Sequence, residues 1–135
     1  MAMDDILLAA AKAAMDKAYA PYSKFQVGAA LRTPDGQIFS GCNVENAAYP
    51  QGCCAEASAI SAMVMAGGRK IAEIAVLGKG DALVTPCGGC RQRIREFADL
   101  DVPVICHGVE GEPLVTTLAE LLPHSFGPEH LGAAK

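Results

Sequence analysis

The residues best suited to chemistry are cysteines in two short stretches, residues 53–56 (CCAE) and 87–90 (CGGC). Cysteines three apart at the start of a helix lie on one face, so Cys87 and Cys90 can point at one ion. The positive end of the helix dipole stabilises thiolates there. This spacing indicates a metal site, and a redox Cys-x-x-Cys pair or two buried thiols are the alternative interpretations.

A third sulfur ligand is available from the adjacent pair Cys53 and Cys54. Zinc takes four ligands, but the sequence contains no second Cys-x-x-Cys to complete a structural zinc module. Spacing alone does not choose between the two cysteines. If the fourth position stays open to water, the site is catalytic rather than structural. Two glycines inside a helix cost roughly 1 kcal/mol each, which predicts that the backbone at 88–89 passes close to another group.

Glu56 stands directly beside this cysteine pair. It falls on one helical stripe with Ile60 and Met63, which predicts that its side chain faces inward. A buried carboxylate costs free energy unless it is paired or protonated. Next to a metal, Glu56 is placed to handle the protons of a water molecule; without one, it is a carboxylate that favours the helix dipole. Cys54 and Glu56 can converge only if Cys54 lies at the non-helical edge of the turn.

The elements that must position these residues follow the order α-β-β-α-β-α-β-β-α. Thr33-Pro34-Asp35-Gly36 predicts a tight turn and a β-hairpin. Thr85 is predicted as the N-cap of the third helix, with Pro86 at its first position. The predicted helices are 4–19, 55–66, 85–98 and 117–121, and the predicted strands are 25–31, 37–42, 71–77, 102–106 and 113–116. The first hairpin is antiparallel and the later βαβ unit is parallel. We expect an α/β fold in which helices sandwich a mixed five-stranded sheet.

Composition narrows the class of protein. The 135 residues suggest a single domain, 1–135, and a net charge of -4 argues against a nucleic-acid partner. The N-terminal residues lack the basic start of a secretory signal, and no apolar run reaches membrane-spanning length. The six cysteines then indicate thiols or metal ligands in a reducing, cytoplasmic compartment without a membrane partner.

Several stretches resemble the small homotetrameric, zinc-dependent cytidine deaminases of the cytidine/deoxycytidylate deaminase superfamily. They are Cys54-Ala55-Glu56, Pro86-Cys87-Gly88-Gly89-Cys90, residues 20–30 (APYSKFQVGAA), residues 41–49 (GCNVENAAY), and residues 121–123 (LLP) followed by Phe126. The resemblance covers nearly the whole chain. It implies a cytidine deaminase-like fold, Zn²⁺ as cofactor, and hydrolytic deamination of cytidine and deoxycytidine to uridine and deoxyuridine in pyrimidine salvage.

The resemblance also implies roles for individual residues. Cys54, Cys87 and Cys90 become the zinc ligands, and Cys53 lies outside the motif. Zinc-bound hydroxide attacks C4 of the pyrimidine, and Glu56 shuttles the protons. The substrate-binding residues implied are Phe25, Asn43, Glu45, Tyr49, Ala55 and Phe126, the last contributed by a neighbouring subunit of a homotetramer.

Two features of the sequence concern charge at the predicted site, one near the zinc ligands and one near the substrate. Many members of this family carry arginine directly after the catalytic glutamate, where this sequence has Ala57. We expect Arg91 and the two helix N-termini to offset the thiolate charge instead. Glu45 argues for a free nucleoside, because a 3′-phosphate would place negative charge against its carboxylate.

Two rival interpretations stay open. A structural zinc module that binds protein or nucleic acid would need a fourth protein ligand, such as Cys53 or Cys42. A deaminase of an unusual nucleoside, such as a blasticidin-type antibiotic, would share both zinc motifs.

By default Cys42 and Cys106 are small core residues. His107, His124 and His130 are predicted at the surface or in loops.

Overall fold

A computed structural model describes residues 2–80, 82–108 and 110–132. Within them, two short 3₁₀ turns (Tyr49–Gln51 and Pro128–Leu131) accompany the regular elements. The regular elements are α1 (Ala2–Met15), β1 (Val27–Arg32), β2 (Ile38–Cys42), α2 (Ala55–Met65), β3 (Glu73–Gly78), α3 (Gly88–Phe97), β4 (Pro103–His107), β5 (Leu114–Thr117) and α4 (Leu118–Leu121). None of the helices in this part of the chain has the length and apolar character needed to cross a membrane.

The five strands form one sheet in the order β2-β1-β3-β4-β5. β3 and β4 run parallel and are joined through α3, whereas every other neighbouring pair is antiparallel. The β1–β2 hairpin turns as its sequence predicts. Gly36 has a φ of 91°, and its N–H donates to the Thr33 carbonyl at 2.9 Å. The mixed α/β sheet expected from the sequence is confirmed.

Side chains of the central strands alternate between two cores, as the strand period requires. Ile74 and Val76 of β3 belong to the larger cluster, which includes side chains of α2 and α3. Ala75 and Leu77 belong to the smaller cluster under α1. Helices therefore cover both faces of the sheet, which confirms the sandwiched arrangement.

Glycine allows α1 and α2 to approach the sheet closely. A Cβ on Gly41 of β2 would lie 2.5 Å from the Ala59 nitrogen of α2, and a Cβ on Gly28 of β1 would collide with the Ala11 carbonyl of α1. Any larger side chain would push the helix away from the sheet. Gly41 thereby fixes the position of α2, the helix that begins beside Cys54.

The structure differs from the sequence predictions at the C-terminal end of α1 and at the N-terminal end of α3. α1 ends at Met15 rather than at Tyr19. α3 begins at Gly88 with Cys87 as its N-cap, because the Thr85 hydroxyl accepts a hydrogen bond from Arg91 and does not cap a helix. Nothing within 4 Å would meet a Cβ on Gly88, so the expected close neighbour is missing there among the described residues.

The remaining cysteines and the histidines fall on different elements. Cys106 is buried in β4, while Cys42 is only half-buried in β2. His107, predicted at the surface or in a loop, is half-buried within β4 because the strand continues one residue further than predicted. His124 and His130 are exposed, in agreement with the prediction.

Candidate metal centre and active site

Three cysteine sulfurs converge where two helices begin. Cys54 is the N-cap of α2, Cys87 is the N-cap of α3, and Cys90 lies in the first turn of α3. Their Sγ atoms all lie within 4.8 Å of one another. Both N-caps have extended backbone, so Cys54 occupies the non-helical edge of the turn that its convergence with Glu56 requires. The positive ends of two helix dipoles thus meet at one cluster of thiols.

Burial and mutual contact alter the protonation of these thiols. Burial raises the pKa of Cys54, and burial together with the nearby Glu56 carboxyl raises the pKa of Cys90 far above its usual range. Burial also acts on Cys87, but hydrogen bonds involving Cys90 and Cys54 outweigh it and lower the pKa of that thiol. Three thiolates this close together need a cation, and soft thiolate ligands suit zinc.

No fourth metal-binding side chain joins this group among the described residues. The Cys53 sulfur lies 3.4 Å from the Ser58 hydroxyl and 3.7 Å from the Cys54 carbonyl, so it makes contacts outside the cluster. Cys42 also stands outside it. A metal held by Cys54, Cys87 and Cys90 would therefore have room for a ligand that the protein does not supply, as catalytic zinc sites do.

Glu56 lies inside the protein beside these sulfurs, with a residue exposure of 4%. Ile60 and Met63, on the same stripe of α2, are also buried. Burial raises the pKa of the Glu56 carboxyl, while a hydrogen bond with Cys90 and the charge of Arg93 act in the opposite direction. A raised pKa makes the carboxylate a better proton acceptor, which suits a group that relays protons.

A cavity of about 220 Å³ brings most of the predicted site residues together. Cys54, Cys87 and Glu56 form its polar side. Phe25, Val27, Ala55, Val76 and Val84 form its apolar side, and Asn43 and Thr85 complete the lining. The structure thus joins two of the three cysteines, Glu56 and the predicted contacts Phe25, Asn43 and Ala55 in one pocket.

The Asn43 side chain fixes the backbone just before β1, where Phe25 lies. Its Oδ1 accepts from the Val27 N–H at 2.9 Å, and its Nδ2 donates to the Phe25 carbonyl at 3.0 Å. Gly78 gives the Phe25 ring its space, because a Cβ there would lie 2.9 Å from Phe25 Cζ and closer still to Val84. Sequence reasoning missed Gly78, although a glycine at the end of an apolar strand often marks the close approach of another group.

Glu45 and Tyr49 line a second cavity of about 360 Å³, together with Tyr22 and Ser23. The Glu45 carboxylate accepts from the N–H groups of Tyr22 and Ser23 at 2.9 and 3.1 Å and from the Ser23 hydroxyl. The hydrogen bonds from Ser23 lower the pKa of Glu45. The Ser23 hydroxyl also accepts from the Phe25 N–H at 3.0 Å. This hydrogen bond links a residue that lines the Glu45 cavity to a residue that lines the thiol pocket.

Phe126 is not brought to the pocket of its own chain. Its side chain is 56% exposed and stacks on the His130 ring, with the ring centroids 5.0 Å apart. Helix α3 holds this segment in place. The Gln92 amide donates to the Phe126 carbonyl at 2.8 Å, and the buried Arg95 guanidinium donates to the Ser125 hydroxyl at 2.7 Å and pairs with Glu129.

Two arginines of α3 differ in what they contact. Arg91 donates to the carbonyls of Pro86 and Leu121, each at 2.7 Å, and to the Thr85 hydroxyl at 3.2 Å. Its guanidinium is therefore directed at neutral oxygens and not at the sulfur cluster. Arg93 donates to the Cys90 sulfur at 3.7 Å. Sequence reasoning missed Arg93, although its position three residues after Cys90 places it on the same helix face.

Fold and site together define an α/β protein with a three-thiol metal centre and a buried carboxyl group in a small pocket. The family model for the cytidine and deoxycytidylate deaminase zinc-binding region matches residues 1–106. The chain therefore belongs to the cytidine and deoxycytidylate deaminase family. The predictions of this family, of an enzyme of the deaminase class and of zinc as its cofactor are confirmed.

Individual relatives agree with this assignment. Cytidine deaminase from Sporosarcina psychrophila is 45% identical over 128 residues, which cover 95% of this chain and 94% of that protein. The crystal structure of cytidine deaminase from Burkholderia pseudomallei is 47% identical with a TM-score of 0.86, covering 90% of this chain and 98% of the other. Cytidine deaminase from Mycobacterium tuberculosis has a TM-score of 0.81 at 35% identity, covering 91% and 96%.

Proposed function

We propose that this protein hydrolyses cytidine and deoxycytidine to uridine and deoxyuridine with release of ammonia. The observation that carries the proposal is the buried Glu56 carboxyl, which lies beside the cluster of Cys54, Cys87 and Cys90 in the pocket that also contains Phe25. The relatives named cytidine deaminase match almost the full length of the chain, which supports this choice of substrate.

Cys54, Cys87 and Cys90 would hold the zinc ion. When bound, zinc supplies a Lewis acid that lowers the pKa of water and makes a nucleophile available near neutral pH. Burial raises the pKa of Cys54 and Cys90, so the bound cation, helped by the positive ends of the two helix dipoles, would supply what stabilises their thiolate forms.

Glu56 is the proposed carrier of protons. Deamination forms a C4–O bond and breaks the C4–N bond, and it requires one proton at ring N3 and another on the departing amino group. The water that is consumed supplies both protons. Because burial raises the pKa of Glu56, its carboxylate accepts a proton and its carboxyl form donates it again.

The remaining pocket residues suit a free nucleoside. Phe25 and Ala55 would contact the pyrimidine, while Asn43, Glu45 and Tyr49 would surround the ribose. Glu45 stays ionised because its pKa is lowered, and its carboxylate retains acceptor capacity for a sugar hydroxyl. A phosphate on the 3′ oxygen would meet this charge, which disfavours DNA or RNA as substrate.

The assembly we propose is a homotetramer in which Phe126 closes the pocket of a neighbouring subunit. Within its own chain this ring lines neither the thiol pocket nor the Glu45 cavity, and more than half of it is exposed. Tyr49 and Met65 are also exposed, at 76% and 90%. Exposed apolar side chains of this size are typical of surfaces that are covered in an assembly.

We further propose that residues 1–135 act as one domain in pyrimidine salvage in the cytoplasm. All six cysteines are free thiols, as a reducing compartment maintains them. The nucleoside is the only substrate class that this proposal includes, with no nucleic-acid or membrane partner.

The direct test of this function is ammonia release by the purified, zinc-loaded protein. Cytidine, deoxycytidine and a blasticidin-type antibiotic would be compared as substrates, with a chelator-treated sample as control. We expect release from both nucleosides and none after chelation. Release from the antibiotic alone, or from none of the three, would refute the proposal.

A further inference from the structure

The cysteine cluster has an unbalanced charge once a divalent metal is bound. Three thiolates around Zn²⁺ leave a net charge of minus one, and the Glu56 carboxylate adds a second negative charge in its ionised form. Burial of uncompensated charge is unfavourable. Arg91 does not balance it by contact, because its guanidinium is engaged by Pro86, Leu121 and Thr85.

Arg93 contributes a cation that contacts this cluster. Its Nη1 donates to the Cys90 sulfur at 3.7 Å. Gly89 leaves space for the guanidinium, because a Cβ at that position would lie 3.3 Å from Arg93 Nη1. Among the described residues Arg93 has no carboxylate partner in an ion pair, so its charge is not already neutralised.

We propose that Arg93 is the residue that offsets the thiolate charge of the metal centre, by donating to Cys90 from the next turn of α3. This inference rests on the proposed three-cysteine zinc site. Arg93 is a positioning residue, since it contacts a ligand and not the substrate pocket. The predicted role of Arg91 then becomes structural, as a link between the 85–86 loop and the end of α4.

Position 57 offers a way to supply the same charge from another helix. Ala57 of α2 and Arg93 of α3 line one cavity of about 620 Å³ between the two helices. This cavity is larger than the thiol pocket and contains none of the three cysteines. An arginine introduced at position 57 would extend into the space that the Arg93 side chain leaves when it is shortened.

The test compares zinc affinity in Arg93→Met and wild-type protein by competition with a chromophoric chelator. Loss of a charged hydrogen bond at a partly exposed site predicts zinc binding weaker by about tenfold. Lys17→Met removes an exposed cation outside the site and is the control for net charge. Arg93→Lys keeps the charge, and we expect it to retain most of the affinity. The double variant Ala57→Arg/Arg93→Met should recover part of it.

A spectroscopic readout separates this role from simple packing. In cobalt-substituted protein, loss of a donor to a thiolate should move the sulfur-to-cobalt charge-transfer band to lower energy, and Arg93→Lys should move it less. Zinc affinity and band position that are both unchanged in a folded Arg93→Met protein would overturn the inference. The inference would also be overturned if Arg93→Lys binds zinc as weakly as Arg93→Met does. If wild-type protein binds no zinc, the proposed function itself fails, so the two failures are distinguishable.

Discussion

Cys54 and Cys87 occupy the same structural position in two different helices. Each is the N-cap, and their backbone angles are nearly equal, at φ -76° and ψ 156° for Cys54 and φ -67° and ψ 167° for Cys87. Neither helix receives a side-chain hydrogen bond from its N-cap residue. Both sulfurs are thereby left to face the common cluster, and both helices direct free N–H groups and a positive dipole end towards it.

Replacement of the buried carboxyl group tests the proton chemistry. Glu56→Gln keeps the size of the side chain but removes its ability to exchange protons. We expect normal zinc content and a loss of kcat of roughly 10²–10⁴-fold or more. Elemental analysis and steady-state kinetics check the two parts separately. A variant that contains zinc and deaminates cytidine at nearly the wild-type rate would remove Glu56 from this role.

Gly78→Ala tests how the pocket holds Phe25. The added methyl group would collide with Val84 and lie 2.9 Å from Phe25 Cζ, so the aromatic ring must move. We expect a higher KM for cytidine and no change in zinc content. Val84→Ala removes the worst of the collision, so the double variant should regain affinity relative to Gly78→Ala. An unchanged KM in Gly78→Ala would show that the ring position does not matter.

Hydrophobic periodicity predicts the direction of one site residue, while the cysteine ligands were predicted from their spacing and from the family resemblance. The stripe of Glu56, Ile60 and Met63 correctly indicated an inward carboxyl group. The turn at Thr33–Gly36 and the parallel βαβ unit followed from turn residues and from connection geometry. These features depend on interactions that are local in sequence or on general topological rules.

Contacts between distant segments were not predictable in the same way. Thr85 and Pro86 match a standard helix start, yet the helix begins at Gly88, and Arg91 joins the Thr85 hydroxyl to the distant Leu121 carbonyl. The placement of Gly78 against Phe25, and of Gln92 against Phe126, joins residues far apart in the chain. Only the three-dimensional packing decides such pairs. Arg93 is an exception, since its spacing from Cys90 was available from the sequence.

Subunit mixing tests the proposed role of Phe126. Glu56→Gln and Phe126→Ala would each be inactive or weak alone. If Phe126 closes a neighbour's pocket, random reassembly gives up to about one quarter of pockets with both residues intact, following the symmetry of a closed oligomer. We therefore expect activity to rise on mixing after dissociation and reassembly. If the mixture shows only the average of the two variants, Phe126 does not act across subunits.

The ion pair of Arg95 and Glu129 predicts a pH dependence of stability in the segment that carries Phe126. Arg95 lowers the pKa of Glu129 below its ordinary value of 4.5, so the folded state favours the ionised carboxylate. The pair contributes stability above pH 4.5, and this contribution is lost as the pH falls through the folded-state pKa.

Denaturant unfolding of wild-type and Glu129→Gln protein measures this effect. The wild type should be more stable at about pH 7, and the difference should shrink as the pH falls below 4.5 and Glu129 becomes protonated. Because Glu129 is exposed, we expect a small difference that high salt reduces further. A difference that grows on acidification would have the wrong sign for this pair.

The most direct measurement of the central claim is the ligand set of the metal. X-ray absorption spectroscopy of the zinc-loaded protein counts sulfur neighbours and lighter neighbours separately. The expected result is three sulfur atoms and one lighter ligand, and Cys54→Ser, Cys87→Ser and Cys90→Ser should each remove one sulfur. Four sulfur ligands, or a folded protein that binds no zinc, would contradict the account.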